Sequence, residues 1–301
     1  MSGIYVYSDR PDLAAELIGF ARQSGRESFA LAFTEASAQA LAQCGASKVY
    51  LLGEESQLVE NYSQALAAFL VDEKASLLVV GATARGRDLA ARVAGYSDCG
   101  MASDVSALSY DGETLVCERM MYGGAVVQKE LLSGFSVVTV PAGHFEAGTG
   151  TAEIVRVELK ADARVELVER TACVKKGADL QAAEKIVCVG LGLEEEKDLR
   201  LAEELAQALD AQLGCTRGVA EERHWLPAEQ YIGISGAVIK PQLYLSMGVS
   251  GQIQHVFGIR ESKFIVAVDH NEKAPIFRSA DYGIVGDMYE IIPLLTEALR
   301  K

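Results

Sequence analysis

The sequence lacks the spacings that hold metals. Its six cysteines, at 44, 99, 117, 173, 188 and 215, form no CxxC pair and no cluster with histidine. That argues against structural zinc and iron–sulfur centres. Positive charge is also scarce: 28 Lys and Arg face 42 Asp and Glu, a net charge of −14. Nucleic-acid binding needs clustered cations, and an anionic bilayer surface repels such a chain. A basic patch on a partner protein would instead attract it. No apolar run has the length of a membrane span, and the opening MSGIYVYSDRPDL has neither a basic n-region nor a long apolar h-region. There is no GxSxG elbow and no HExxH motif. These absences lead us to expect a reduced, cytoplasmic, soluble α/β protein.

What is present is apolar bulk and alternation. The 301 residues are half hydrophobic, enough for about two domains of roughly 150 residues. The first half alternates strand-like runs with helical patterns. Residues 4–7, 28–33, 48–52 and 76–80 read as strands. Residues 13–23, 37–43, 61–70 and 83–94 read as helices, with Gly45 ending the second. This βαβα order predicts a parallel sheet covered by helices. Residues 101–140 suggest strands that extend or cap that sheet. Residues 153–160 and 164–170 alternate like half-exposed strands. A boundary is expected in the polar stretch 171–184, which contains Lys175-Lys176-Gly177. It leaves an N-terminal domain over 1–180 and a C-terminal one over 185–301. In the latter, strands are expected at 185–190, 231–235, 243–247, 264–268 and 280–285. Helices are expected at 199–213, ended by Gly214, and at 288–299.

Residues 241–258, PQLYLSMGVSGQIQHVFG, are the most informative stretch. An apolar strand ends in glycines and feeds a helical start, which presents free backbone N–H groups at one point. Those groups suit an anion. Gln252, Gln254 and His255 follow within a turn and could address a polar ring. Elsewhere, Gly190-Leu191-Gly192 after a strand invites a dinucleotide reading. Glu195 breaks the GxGxxG pattern, and Glu194 to Glu196 would repel a diphosphate, so a plain strand-to-helix turn is favoured. Gly81-Ala82-Thr83-Ala84-Arg85-Gly86-Arg87-Asp88 is the comparable place in the first half. An ordinary helix capped by Thr83 with surface arginines is favoured there. Arg217, in Thr216-Arg217-Gly218, is open between a solvated loop residue and an anion contact. Tyr231-Ile232-Gly233-Ile234-Ser235-Gly236 is open between a tight turn and a seat for a planar ring. His144, His224 and His270 read as loop residues, Glu221-Glu222 as a solvated loop, and Cys188 as core.

At PQLYLSMGVSGQIQH the chain resembles the alpha subunit of electron transfer flavoproteins, whose FAD signature is P-x-L-Y-[apolar]-x-x-G-[IV]-S-G-x-I-Q-H. The resemblance extends over Ala280-Asp281-Tyr282-Gly283-Ile284-Val285-Gly286-Asp287, Thr216-Arg217 and Ser103-Asp104-Val105, and so over essentially the whole chain. The stretch from Trp225 to Pro241 is most similar to the FixB/CaiE-type branch. The resemblance implies two α/β domains, the second a doubly wound FAD-binding domain. It implies FAD held by Ser250, Gly251, Gln252, Ile253, Gln254 and His255, the last near the pyrimidine carbonyl. Ser235, in the turn with Ile232, Gly233 and Ile234, would take the place of the hydroxyl that bonds flavin N5. Arg217, beside Thr216, would lie against the isoalloxazine. Asp269, Asp287 and Met288 would face the AMP part. A beta subunit would complete a heterodimer. Electrons would pass from an acyl-CoA dehydrogenase-type donor or reduced carrier to a quinone oxidoreductase or other acceptor. Two other readings are a subunit of a dedicated, bifurcating acyl-CoA dehydrogenase complex and an adenine-nucleotide sensor. Three positions depart from the family: Leu191 replaces an arginine, Ile234 a glutamine and Asp269 an asparagine. All three bear on the redox potential.

Overall fold

Strands buried on both faces carry nearly continuous apolar runs, and the first of them set the fold. The computed structural model describes residues 3–53, 58–171 and 179–300. The expected boundary segment around Lys175-Lys176-Gly177 and Cys173 lies outside the described residues. The chain divides into two compact units, Met1–Thr171 and Ala172–Lys301.

In the first unit, β1 (Ile4–Tyr7), β2 (Ser28–Ala32), β3 (Lys48–Leu51), β4 (Leu77–Gly81), β5 (Gly100–Ala102), β9 (Ser136–Val140) and β10 (Glu153–Arg156) form one sheet. Its order is β10-β3-β2-β1-β4-β9-β5, and all neighbours in that order pair in parallel. Side chains alternate between two cores. Ile4 and Val6 pack with Leu13 and Leu17 of α1 (Pro11–Gln23) and Leu41 of α2 (Glu35–Leu41). Tyr5 and Tyr7 pack with Leu66 of α3 (Ser63–Asp72) and Leu89 of α4 (Ala84–Ser97). Helices on both faces explain why these strands tolerate no polar face. Between β5 and β9 the chain makes a separate antiparallel sheet of β6 (Ala107–Asp111), β7 (Thr114–Met121) and β8 (Val126–Leu132).

The strand expected over 153–160 ends at Arg156, and two further expectations fail in this unit. Residues 164–170 are not a strand: after β10 the chain leaves the sheet and is pinned on the α3 side. There the Asn61 side chain donates to the Val165 carbonyl at 2.7 Å. Gly45 does not end a helix. That helix stops at Leu41, and Gly45, at φ +79°, donates to the Gly150 carbonyl.

The second unit is one parallel sheet of β11 (Lys185–Val189), β12 (Gln212–Cys215), β13 (Leu243–Met247), β14 (Ile265–Asp269) and β15 (Tyr282–Val285), in the order β12-β11-β13-β14-β15. Val187, Leu245 and Val268 pack against α5 (Leu199–Leu209) and α7 (Met288–Leu299). Ile186, Cys188 and Tyr244 pack on the other side with α6 (Ile253–Ile259) and the loop around Ile232. The sheet is therefore doubly wound. The expected helix over 199–213 is a helix and a strand. α5 ends at Asp210, whose φ of +53° turns the chain back into β12. Gly214 lies inside that strand, where a Cβ would stand 2.5 Å from Ile232 Cδ1. Residues 231–235 form only isolated bridges, from Tyr231 to Cys215 and from Ile232 to Ala237.

Candidate functional site

In an open parallel sheet the ligand crevice opens at the C-terminal strand ends, where the strand order reverses direction. In the first unit that point lies between β1 and β4, and the side chains next to it bond one another. Thr83 caps α4 by accepting from the Gly86 N–H, and its hydroxyl donates to Asp9 at 2.5 Å. Arg85 is paired with Glu60 and Arg87 with Asp104. The capped-helix reading of this segment holds, and its arginines are engaged.

In the second unit the reversal lies between β11 and β13. The two loops leaving these strands are fused by glycine. The Gly192 N–H donates to the Gly248 carbonyl at 3.0 Å, and a Cβ on Gly190 would stand 2.1 Å from that oxygen. Gly251, at φ +80°, is closed in by Ile276, whose amide nitrogen would lie 2.3 Å from a Cβ. The chain between these contacts is held rigidly while its amides stay free. Among the described residues none accepts a hydrogen bond from the N–H groups of residues 249–254. Buried backbone donors are seldom left without an acceptor, and Gly251 is buried. A row of such donors suits a phosphate oxygen set. In the Gly190–Leu193 turn the N–H groups of Gly190, Gly192 and Leu193 are already bonded to the carbonyls of Met247, Gly248 and Gly190. The acids that follow it form a capping box between Glu195 and Asp198, and Tyr289 donates to Asp198 at 2.9 Å.

The other predicted residues gather on the same edge. β12 ends at Cys215 and delivers Thr216 and Arg217. Arg217 is exposed, and its Nε donates to Glu221 at 2.6 Å; this bond and the Glu221 charge raise its pKa. Leu191 lies over Gly218, where a Cβ would stand 2.8 Å from its Cδ1. The loop with Ile232, Gly233, Ile234 and Ser235 is tied to β12 by the Ile232 N–H and to α6 by the Ile234 N–H, which donates to the Gln254 carbonyl at 2.9 Å. The Ser235 and Tyr231 hydroxyls are 3.0 Å apart. Asp269, at the end of β14, accepts from the Asn271 N–H, and Asp287 caps α7 by accepting from the Tyr289 N–H. Met288 is buried below Gly248. Ser250, Gln252, Ile253 and Gln254 are exposed.

His255 turns inward. Its Nδ1 is 3.0 Å from the Ile232 carbonyl and its Nε2 is 2.6 Å from the Tyr244 hydroxyl. A carbonyl only accepts, so Nδ1 carries the proton and Nε2 accepts from Tyr244. Burial pushes its pKa down to about 4, although the bond to Ile232 opposes this. The ring is neutral near pH 7.

The edge thus combines a donor-lined loop, a guanidinium, an outward hydroxyl and a fringe of apolar side chains. Leu191, Ile234 and Ile253 are 48, 47 and 66% exposed. A planar conjugated ring carrying a diphosphate fits that combination, and burying the fringe would favour its binding.

Comparison with known proteins agrees. Residues 179–260 match the family described as "Electron transfer flavoprotein FAD-binding domain", and residues 12–162 match "Electron transfer flavoprotein domain". The chain belongs to the electron transfer flavoprotein alpha subunits. YdiR of Escherichia coli (strain K12), named for the electron transfer flavoprotein subunits, is 37% identical over 100% of this chain and 99% of its own length. Protein FixB of Salmonella typhimurium is 35% identical, and protein FixB of Escherichia coli O157:H7 is 34% identical. Both alignments cover 100% of this chain and 99% of the relative. A solved chain from Mycobacterium smegmatis aligns at a TM-score of 0.25 and 11% identity, over 97% of this chain and 59% of its own, too low to bear on the argument. FAD is the cofactor of this electron transfer flavoprotein subunit, and membership implies a beta subunit as partner. Among the described residues no helix is long and apolar enough to cross a membrane.

Sequence reasoning missed three partners at this edge. Glu221, read as a solvated loop residue, pairs with Arg217. Its i+4 spacing was the available signal. Tyr231 and Tyr244 carry no such local signal, because the fold brings their hydroxyls to Ser235 and His255.

Proposed function

We propose that the C-terminal domain, residues 185–301, holds FAD at the edge just described. In this reading the chain, paired with a beta subunit in the cytoplasm, carries electrons between protein partners. An acyl-CoA dehydrogenase-type protein or reduced carrier is the donor, and a quinone oxidoreductase is the acceptor. The N-terminal domain, residues 1–180, serves the assembly rather than a ligand. FAD supplies the redox chemistry when bound. The residues of this chain bind and orient it. The free N–H groups of residues 249–254, beside Ser250 and Gly251, carry this reading. They would receive the diphosphate. Ser235 would donate to flavin N5. Arg217 would supply positive charge beside the ring, tempered by Glu221. Thr216 and Ile253 would border the ring. Gln252 and Gln254 would meet polar edges. Asp269, Asp287 and Met288 would lie toward the adenosine. His255 would act through the Ile232 carbonyl that it holds.

The test is an absorption spectrum, with cofactor analysis, of the co-expressed heterodimer. A flavin spectrum with one FAD supports the reading. A colourless complex retaining AMP or ATP overturns it in favour of a nucleotide sensor. Two FAD per heterodimer would overturn the plain carrier role in favour of bifurcation.

A further inference from the structure

Tyr231 lies in the loop that carries Ser235, and the loop is built around its ring. A Cβ on Gly236 would stand 2.7 Å from Tyr231 Cδ1, and one on Gly233 would stand 2.9 Å from its hydroxyl oxygen. The Tyr231 N–H donates to Ala228, and its carbonyl accepts from Ala237, so both ends of the residue are fixed. The side chain is 5% exposed, so its hydroxyl is not free to swing into solvent. That hydroxyl lies 3.0 Å from Ser235 Oγ, and Ser235 itself is exposed at the edge where the ring would lie.

Two hydroxyls in contact share one hydrogen. A phenol is the more acidic partner and the better donor. If Tyr231 donates, Ser235 accepts through one lone pair and keeps its own hydrogen for a third atom. A hydroxyl that accepts while donating is polarised and donates more strongly. If Ser235 donated inward instead, it would have no hydrogen for an outside acceptor. The fixed phenol therefore settles both the rotamer and the polarity of Ser235.

We propose that Tyr231 is a positioning residue. Its O–H donates to Ser235 Oγ and so aims the Ser235 hydrogen out of the loop at the acceptor nitrogen of the flavin. The role rests on the FAD-binding function proposed above. It assigns the tuning of that contact to a residue that does not touch the ring.

The test is Tyr231→Phe in the heterodimer, alone and combined with Ser235→Ala. Phe keeps the ring that the glycines pack on and removes only the donor. A donor to N5 is held more tightly as the ring gains negative charge. Weakening it should therefore lower the potential of the first electron. The expected effect is about three- to tenfold in the corresponding equilibrium, where tenfold is about 59 mV for one electron. Y231F should add nothing once Ser235 is alanine. An unchanged potential, or the same shift in both backgrounds, overturns the proposal. A role in packing alone would lower the melting temperature of the apo chain equally with and without Ser235 and leave the potential in place. If Y231F does not fold, the wild-type complex carrying tyrosine labelled with 13C at Cζ is read with FAD and with 5-deaza-FAD, whose N5 acceptor is replaced by C–H. The Tyr231 resonance should move between the two, and a resonance that stays fixed overturns the proposal. A wild-type complex without flavin removes the functional reading and this proposal together. A flavin-loaded complex with a silent Y231F removes only this proposal.

Discussion

Acidification should unlock the second unit at one residue, His255. Folded, its ring is buried between the Ile232 carbonyl and the Tyr244 hydroxyl, and its pKa is about 4 instead of 6.5. Between those values the unfolded chain binds a proton that the folded chain refuses, so stability falls as pH falls. Each pH unit in that window is worth about 1.4 kcal/mol, giving about 3 kcal/mol in all. The full contribution is present above pH 6.5 and is lost by pH 4. Tyr244, which bonds the ring, and Cys188, beside Tyr244, are pushed up by burial and stay protonated throughout this window. The perturbation is His255→Gln, whose amide offers a donor to Ile232 and an acceptor to Tyr244 and takes up no proton. The chain has a single tryptophan, Trp225, and it packs against the core of this unit. Urea unfolding of the apo chain followed by its emission therefore reports the unit directly. Wild type should lose about 3 kcal/mol more than H255Q between pH 7 and pH 4. Parallel pH profiles would refute the reasoning, as would a native-state NMR titration of His255 near 6.5.

Gly251→Ala should cost about 1–3 kcal/mol in apo stability from its φ alone. It should also abolish FAD retention, because the new Cβ meets the Ile276 backbone; urea unfolding and a bound-flavin assay check both. Arg217→Ala should leave apo stability unchanged, since the Arg217–Glu221 pair is exposed. It should lower the flavin potential measured by stepwise reduction, because a cation that favours the anionic reduced ring is gone. Thr83→Ala removes the α4 cap and should cost the first unit about 1 kcal/mol. Flavin binding should not change, which a melting curve and a flavin titration on the same sample would establish.

Periodicity carried most of the fold. The runs at β1 and β4 are apolar without interruption, and those at β11 and β13 carry one polar residue each, Lys185 and Ser246; such runs are legible because both faces of the sheet are buried. The helix at α7 was legible with its bounds. The strand β12 was not: Gln212–Cys215 continues the helical pattern of α5, and only the left-handed Asp210 breaks it. A left-handed aspartate is written in the backbone, not in the composition. Residues 164–170 failed for the opposite reason, since alternation predicts a strand but cannot supply a neighbour to pair with. At the site, Gly248 to Gln254 announced themselves as a strand running into glycines. The inward turn of His255 was invisible, because its partners Tyr244 and Ile232 meet it only after the sheet and the 231–237 loop are in place.

The donor row at residues 249–254 belongs to the main chain, and its shape is kept by glycine contacts with Ile276 and the β11 loop. In the proposed reading, retention of the cofactor is thereby decoupled from side-chain identity along most of that row. Leu191, Ile234 and Asp269 are side-chain positions and can drift without dismantling it. A lineage can then walk its midpoint potential up or down to suit new redox neighbours while the prosthetic group stays seated. Mutational robustness in the amides and freedom in the rim would let one scaffold serve circuits of different voltage.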